Sequence, residues 1–171
     1  MTREEFSEAV LQWLAQVTAF ARRLTSSAAD ADDLVQITYE QAFRSWRTLR
    51  DHRAGRAWLF RIARNAAVDR FRRERSRPEI ELVGYEAVGV ELATPLHPVE
   101  SIDLEMALSR LPRDQAEAIV LCDLWGFTYK EIAAISGCAV GTVRSRISRG
   151  RVKLLKILSS SGSASAQETR P

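Results

Sequence analysis

Apolar residues recur three and four positions apart along most of this 171-residue chain, and alternating β-branched runs are nearly absent, so the periodicity is helical throughout. Phe6, Val10, Trp13, Val17 and Phe20 form one face of a helix expected over about Arg3 to Leu24. Leu34, Val35, Thr38, Ala42 and Trp46 stripe a second helix, from near Ala28 to about Trp46. A polar turn, Thr48 to Gly55, leads to a third helix from about Arg56 to Arg75, and Pro78 ends the pattern. The helical pattern resumes at Ser101, where Leu104, Ala107, Leu108 and Leu111 make the apolar face. Pro112 stands near the start of a further helix running to about Trp125.

The stretch "FTYKEIAAISGCAVGTVRSRI" carries more information than periodicity alone. Thr128 and Glu131 have the spacing of a capping box, which starts a short helix with Ile132, Ala133 and Ile135 on its apolar side. Gly137 is suited to the left-handed residue that ends it, and a new helix begins near Val140. This is the layout of a helix-turn-helix. On a wheel of about 100° per residue with Val143 at zero, Ile147 falls at about 40°, Gly150 at about 340° and Leu154 at about 20°. Arg144, Ser145, Ser148 and Arg149 fall between about 100° and 240°, on the opposite side. A narrow apolar stripe therefore packs inward, and two guanidiniums and two small hydroxyls face out. Small residues let a helix enter a major groove, and arginine makes bidentate bonds to guanine. Arg146, Arg151, Lys153 and Lys156 flank that face, where phosphates would lie. The plainer reading is an amphipathic surface helix with solvated charges.

Between these patterns, residues 78–99 hold three of the five prolines and two of the eight glycines. They predict a flexible acidic linker over 78–100. The Ser- and Ala-rich end, 159–171, predicts a disordered tail. The expected fold is all-α: a small helical domain over 1–77 and a second, over 101–158, containing the helix-turn-helix.

Charge sharpens this division. The net charge is only +3, yet residues 44–77 hold twelve arginines against Asp51, Asp69 and Glu74. Residues 79–105 hold seven acids and no base, and residues 144–156 hold six bases and no acid. Two basic blocks around an acidic one point to two contact surfaces for a polyanion, against the alternative of two solvated helix faces. The two cysteines, Cys122 and Cys138, form no CxxC, and His52 and His97 stand apart from them, so neither a disulfide framework nor a metal site is expected. No apolar run approaches the roughly 20 residues that cross a bilayer. The opening Met-Thr-Arg-Glu-Glu lacks the order of a signal peptide, and two cysteines without a CxxC fit a reducing, cytoplasmic setting, so a cytoplasmic protein without direct membrane insertion is expected. Without a Gly-rich phosphate loop or a Ser/His/Asp set, no catalytic residue and no cofactor are expected.

A helix-turn-helix explains the second domain and leaves the first unexplained. "DADDLVQITYEQAFRSW", "AWLFRIARNAAVDRFRRER" and "LPRDQAEAIVLCDLWGFTYKEIAAISGCAVGTVRSRISRGRVKL" together closely resemble the extracytoplasmic-function sigma factors of bacterial RNA polymerase, which keep the regions called two and four. The resemblance covers about residues 6–76 and 101–156. It implies that the segment Asp33 to Ser45 docks on the clamp helices of the largest subunit of core RNA polymerase, through Asp33, Leu34, Gln36, Ile37 and Glu40. An acidic and amide set beside apolar residues suits such a mixed interface; Asp30, Asp32 and Asp33 also favour a helix N-terminus electrostatically. The resemblance further implies that Thr48 to Asn65 reads and melts the promoter's −10 element. Trp58, Arg61 and Asn65 recur on one helix face, with Arg56 and Arg64 nearby, as a stacking plate, cations and an amide for single-stranded DNA. Trp58 is equally readable as core.

By the same resemblance the Arg144, Ser145, Ser148, Arg149 face reads the −35 element, and an anti-sigma factor is an expected partner. The chain departs from the family pattern at Ala139, where many relatives have proline, and at Gly150, where alanine is usual and glycine costs the helix about 1 kcal/mol. Two other functions remain in view: a simple helix-turn-helix regulator, and a sigma mimic that binds an anti-sigma factor but no promoter.

Overall fold

The computed structural model describes residues 3–49, 51, 54–75 and 98–165, and its helices fall into two compact units. The first unit holds α1 (Arg3–Val10), α2 (Leu14–Leu24), α3 (Ala28–Ser45) and α4 (Gly55–Arg75). The expected single helix over Arg3 to Leu24 is interrupted by a 3-10 turn at Leu11–Trp13. Neither glycine nor proline marks the step. Instead the Leu14 N–H turns to the Leu11 carbonyl, three residues back. The Tyr39 hydroxyl, from α3, donates at 3.4 Å to the Val10 carbonyl that an unbroken helix would have given to Leu14. A tertiary bond thus takes over from a helical one, which no local pattern could announce.

Ser27 starts α3 by accepting from the Asp30 N–H, while its own hydroxyl donates to the Asp30 carboxylate at 2.7 Å. The apolar stripes then close on one another. Phe6, Val10, Val17, Phe20, Leu34, Ala42 and Trp46 are buried as their spacing predicts, with Leu59, Phe60 and Ala63 from α4. Thr38 is buried too, its hydroxyl satisfied by the Leu34 carbonyl at 2.6 Å. Aromatic rings knit this core. Phe6 meets Trp46 edge-on at 5.5 Å, Trp46 meets Trp58 at 5.6 Å, and Phe20 lies 5.1 Å from Phe60.

The second unit holds α5 (Pro98–Ser109), α6 (Arg113–Ile119), a π turn (Val120–Leu124), most of α7 (Tyr129–Ser136) and α8 (Val140–Ser165). Most of the expected linker lies outside the described residues; its last three positions instead open α5, because proline is at home in a helix's first turn. Leu108, Leu111, Ala116, Ile119 and Val120 form a core against which Leu104, Leu124, Trp125, Leu154 and Ile157 pack. The helix expected to run to Trp125 widens at its end, where the Trp125 N–H reaches five residues back to Val120 at 3.1 Å. Gly126, at φ +69°, then reverses the chain, a conformation that glycine adopts without steric cost. The first seven residues of the tail expected from 159 are helical instead. α8 continues to Ser165, and the hydroxyls of Ser159 and Ser160 bond back to the carbonyls of Lys156 and Ile157. Residues 166–171 lie outside the described part. Among the described residues no helix is long and apolar enough to cross a membrane.

Candidate nucleic-acid interface

The helix-turn-helix has the caps its sequence requires. Thr128 accepts from the Glu131 N–H at 3.3 Å, and Glu131 returns the bond to the Thr128 N–H at 2.8 Å. Gly137, at φ +62°, ends α7, and its N–H bonds the Ala133 carbonyl. The Ala139 carbonyl opens α8 by accepting from Thr142 and Val143. At this position alanine supports the turn without proline's fixed φ.

α8 then sits as the wheel predicts. Val143, Ile147 and Gly150 are buried, and Leu154 is half-buried. Arg144, Ser148 and Arg149 are exposed, as are Lys153 and Lys156. Ser145 is half-buried, and its hydroxyl donates to the Thr142 carbonyl at 2.9 Å, leaving oxygen lone pairs for an incoming donor.

Two of the expected phosphate contacts are engaged within the unit. Arg146 Nε lies 2.9 Å from Asp114 Oδ2, and its Nη1 lies 3.6 Å from Cys138 Sγ. Arg151 grips Asp123 with two bonds, Nε at 3.0 Å and Nη2 at 2.5 Å. The Arg151 bond holds the Asp123 carboxyl below its ordinary value, and Asp123 in turn pushes Arg151 up. Burial, helped by Asp123, raises the neighbouring Cys122 thiol, which favours its protonated form. Asp114 and Asp123 escaped the sequence reading. An aspartate in a helix's first turn reads locally as dipole compensation, and a partner about thirty residues away leaves no periodic trace.

In the first unit, Asp33, Gln36 and Glu40 are exposed along one face of α3, with Ile37 half-buried. Gln36 donates to Glu40 at 3.0 Å, and Glu40 also faces Arg44 at 3.9 Å. Leu34 does not belong to this face. It is 1% exposed, because the apolar stripe that forms α3 turns it into the core. Arg70 of α4 pairs with Asp30 and lies 4.0 Å from Asp33, clamping α4 to the start of α3. The Ser27 hydroxyl, then Arg70, holds the Asp30 carboxyl below its usual range.

On α4, Arg61 and Asn65 are exposed one turn apart. Trp58 is core: it is 8% exposed and its ring packs on Trp46, so it offers no free stacking plate. Arg56 is half-buried, and its Nε donates to Gln16 at 3.1 Å, tying the start of α4 to α2. Arg64 is half-buried as well. In the preceding loop, Arg50, His52 and Arg53 lie outside the described residues.

The family described as Sigma-70 region 2 matches residues 9–77, and Sigma-70, region 4 matches residues 101–154. The chain is 38% identical over 169 residues to ECF RNA polymerase sigma factor SigE of Mycolicibacterium smegmatis, covering 95% of this chain and 65% of that protein's length. It is 36% identical over 149 residues to ECF RNA polymerase sigma factor EcfG of Rhodopseudomonas palustris, covering 87% of this chain and 82% of that one. Among solved structures it is similar to the sigma factor RpoE of Bartonella quintana, crystallised with the anti-sigma factor NepR. The TM-score is 0.74 at 32% identity, covering 91% of this chain and 98% of that one.

Proposed function

The chain belongs to the ECF RNA polymerase sigma factors of the sigma-70 family, and on that premise we propose that it is a dissociable promoter-specificity subunit with no catalysis of its own. It acts in the cytoplasm, joins core RNA polymerase, directs it to particular promoters and helps open them. The observation that carries this reading is the outward face of α8, where Arg144, Ser148 and Arg149 stand exposed behind a capped helix and turn while Val143 and Ile147 are buried. Such a face matches base edges in a major groove, so α8 reads the −35 element, with Lys153 on the phosphates.

The two regions divide the work. Residues 1–77 bind polymerase and single-stranded DNA, and residues 101–158 bind duplex DNA. The exposed Asp33, Gln36 and Glu40, beside Ile37, form the surface for the clamp helices of the largest subunit. Arg61 and Asn65, within the arginine-rich block, hold unpaired bases of the −10 element. An anti-sigma factor is the expected negative partner, as the Bartonella quintana relative has one bound.

Run-off transcription with core polymerase on a promoter library tests this. The wild-type chain selects a subset of promoters. Arg144→Ala and Arg149→Ala each relax selection at one or two −35 bases, losing about 1–3 kcal/mol per bidentate contact. Failure of the chain to support any initiation, or equal loss on all base-substituted promoters, refutes the assignment.

A further inference from the structure

α8 carries more cations than its DNA-facing side can use, and two of them are bound to aspartates. With Val143 at zero on the helical wheel, the buried residues lie between about 340° and 40°, Arg146 lies at about 300° and Arg151 at about 80°. The two ion pairs therefore stand on opposite sides of the buried stripe. Their partners flank a place where α8 lies tight against α6. At Gly150 an added Cβ would meet Gln115 Cβ at 3.3 Å and Ile119 Cδ1 at 2.6 Å. Asp114 adjoins Gln115 at one end of this contact, and Asp123 follows Ile119 at the other, on the π turn. The extra residue per turn in a π segment changes where the side chains after it point.

We propose that Asp114 and Asp123 are positioning residues for promoter reading: through Arg146 and Arg151 they stop α8 rolling about its axis in either direction, and so fix which side chains enter the groove. This rests on the proposed −35 reading by α8. A stripe as narrow as Val143, Ile147 and Leu154 resists lifting but offers little resistance to rolling. A roll of one residue's spacing, about 100°, would bring Arg144 to where Ser145 stands. Base readout depends on that angle, whereas phosphate attraction depends on it little. Arg146 and Arg151 thus serve specificity without touching DNA, and they do not add to the counterions released on binding.

The test uses the full chain with core polymerase, a labelled promoter duplex chosen from the run-off library and a scrambled duplex of the same length. Affinity is measured across a salt series. Arg151→Gln is expected to leave the slope of log affinity against log salt unchanged, while Lys153→Ala reduces it by about 0.9. Asp123→Asn is expected to lower promoter-over-scrambled discrimination about fivefold or more, the low end for one misplaced bidentate base contact. The exchange Asp123→Arg with Arg151→Asp restores discrimination, and so does Asp114→Arg with Arg146→Asp after the loss caused by Asp114→Asn. Rescue by exchange separates positioning from a lost phosphate contact, because neither exchanged chain regains an arginine at its place on α8. A slope reduced by about 0.9 in Arg151→Gln, or tighter DNA binding by Asp123→Asn, makes Arg151 a phosphate ligand and overturns the proposal. Discrimination that no exchange restores overturns it as well. An unchanged slope in Lys153→Ala, with Arg144→Ala and Arg149→Ala also silent, removes the −35 reading and this inference with it.

Discussion

Gly150→Ala is a small change where α8 packs tightly against α6. In an exposed helix the substitution would stabilise by about 1 kcal/mol. Here the new Cβ would lie 2.6 Å from Ile119 Cδ1, where carbon atoms at rest stand about 3.5–4.0 Å apart. Ile119 is 3% exposed, so its terminal methyl must turn aside within a packed interior. Over-packing of this kind costs about 1–3 kcal/mol. The helix gain offsets part of that, and the net expectation is a loss of about 1 kcal/mol from opposing terms. Ile119→Val removes the clashing methyl and by itself costs about 1 kcal/mol. With Cδ1 gone the alanine keeps its helical advantage, so the double variant should be about as stable as wild type and the coupling about 2 kcal/mol in its favour. Native-state amide exchange along α6 and α8 reads this unit's stability separately from the first unit's. Additivity of the two substitutions within about 0.5 kcal/mol would refute the argument that close approach, rather than backbone freedom, sets the need for glycine.

Arg61→Ala with Asn65→Ala should leave closed-complex formation largely intact and reduce open complex, seen as permanganate reactivity of unpaired thymines. A pre-melted template should rescue transcription, and no rescue would make this face of α4 structural. Asp30 gives a pH test: its folded carboxyl titrates below its ordinary 3.8, so the stabilisation is present above that pH and is lost as pH falls through the lowered value. Urea titrations should therefore show Asp30→Asn less stable than wild type at neutral pH, the gap closing in acid; a constant gap would assign the loss to something other than the charge.

The helices were legible because their signals are local. Of the stripe Leu34, Val35, Thr38, Ala42, Trp46, all but the half-buried Val35 are buried, and the Thr128–Glu131 box and Gly137 cap α7 as their spacing requires. What was illegible came from partners distant in sequence. The 3-10 step at Leu11–Trp13 answers to Tyr39, and the π turn at Val120–Leu124 contains the aspartate that Arg151 binds. Trp58 illustrates the same limit from the other side. Its spacing with Arg61 and Asn65 puts all three near one face of α4, but only packing against Trp46 decides that the ring is core while the other two are exposed.

Charge reading meets a related limit. The six cations between 144 and 156 are indistinguishable by composition. The fold separates them by what stands opposite. Arg146 and Arg151 flank the buried stripe and face carboxylates, whereas Arg144, Arg149 and Lys153 are exposed around the rest of the helix. An exposed arginine held by two bonds to one carboxylate keeps three N–H donors, but the carboxylate offsets its charge, so a phosphate gains less from it than from a free cation. The affinity of α8 for DNA should therefore follow the cations without such a partner, while its selectivity should follow the pairs that hold the helix in register. A count of positive residues predicts only the first of these, because the second depends on two aspartates that lie outside α8 altogether.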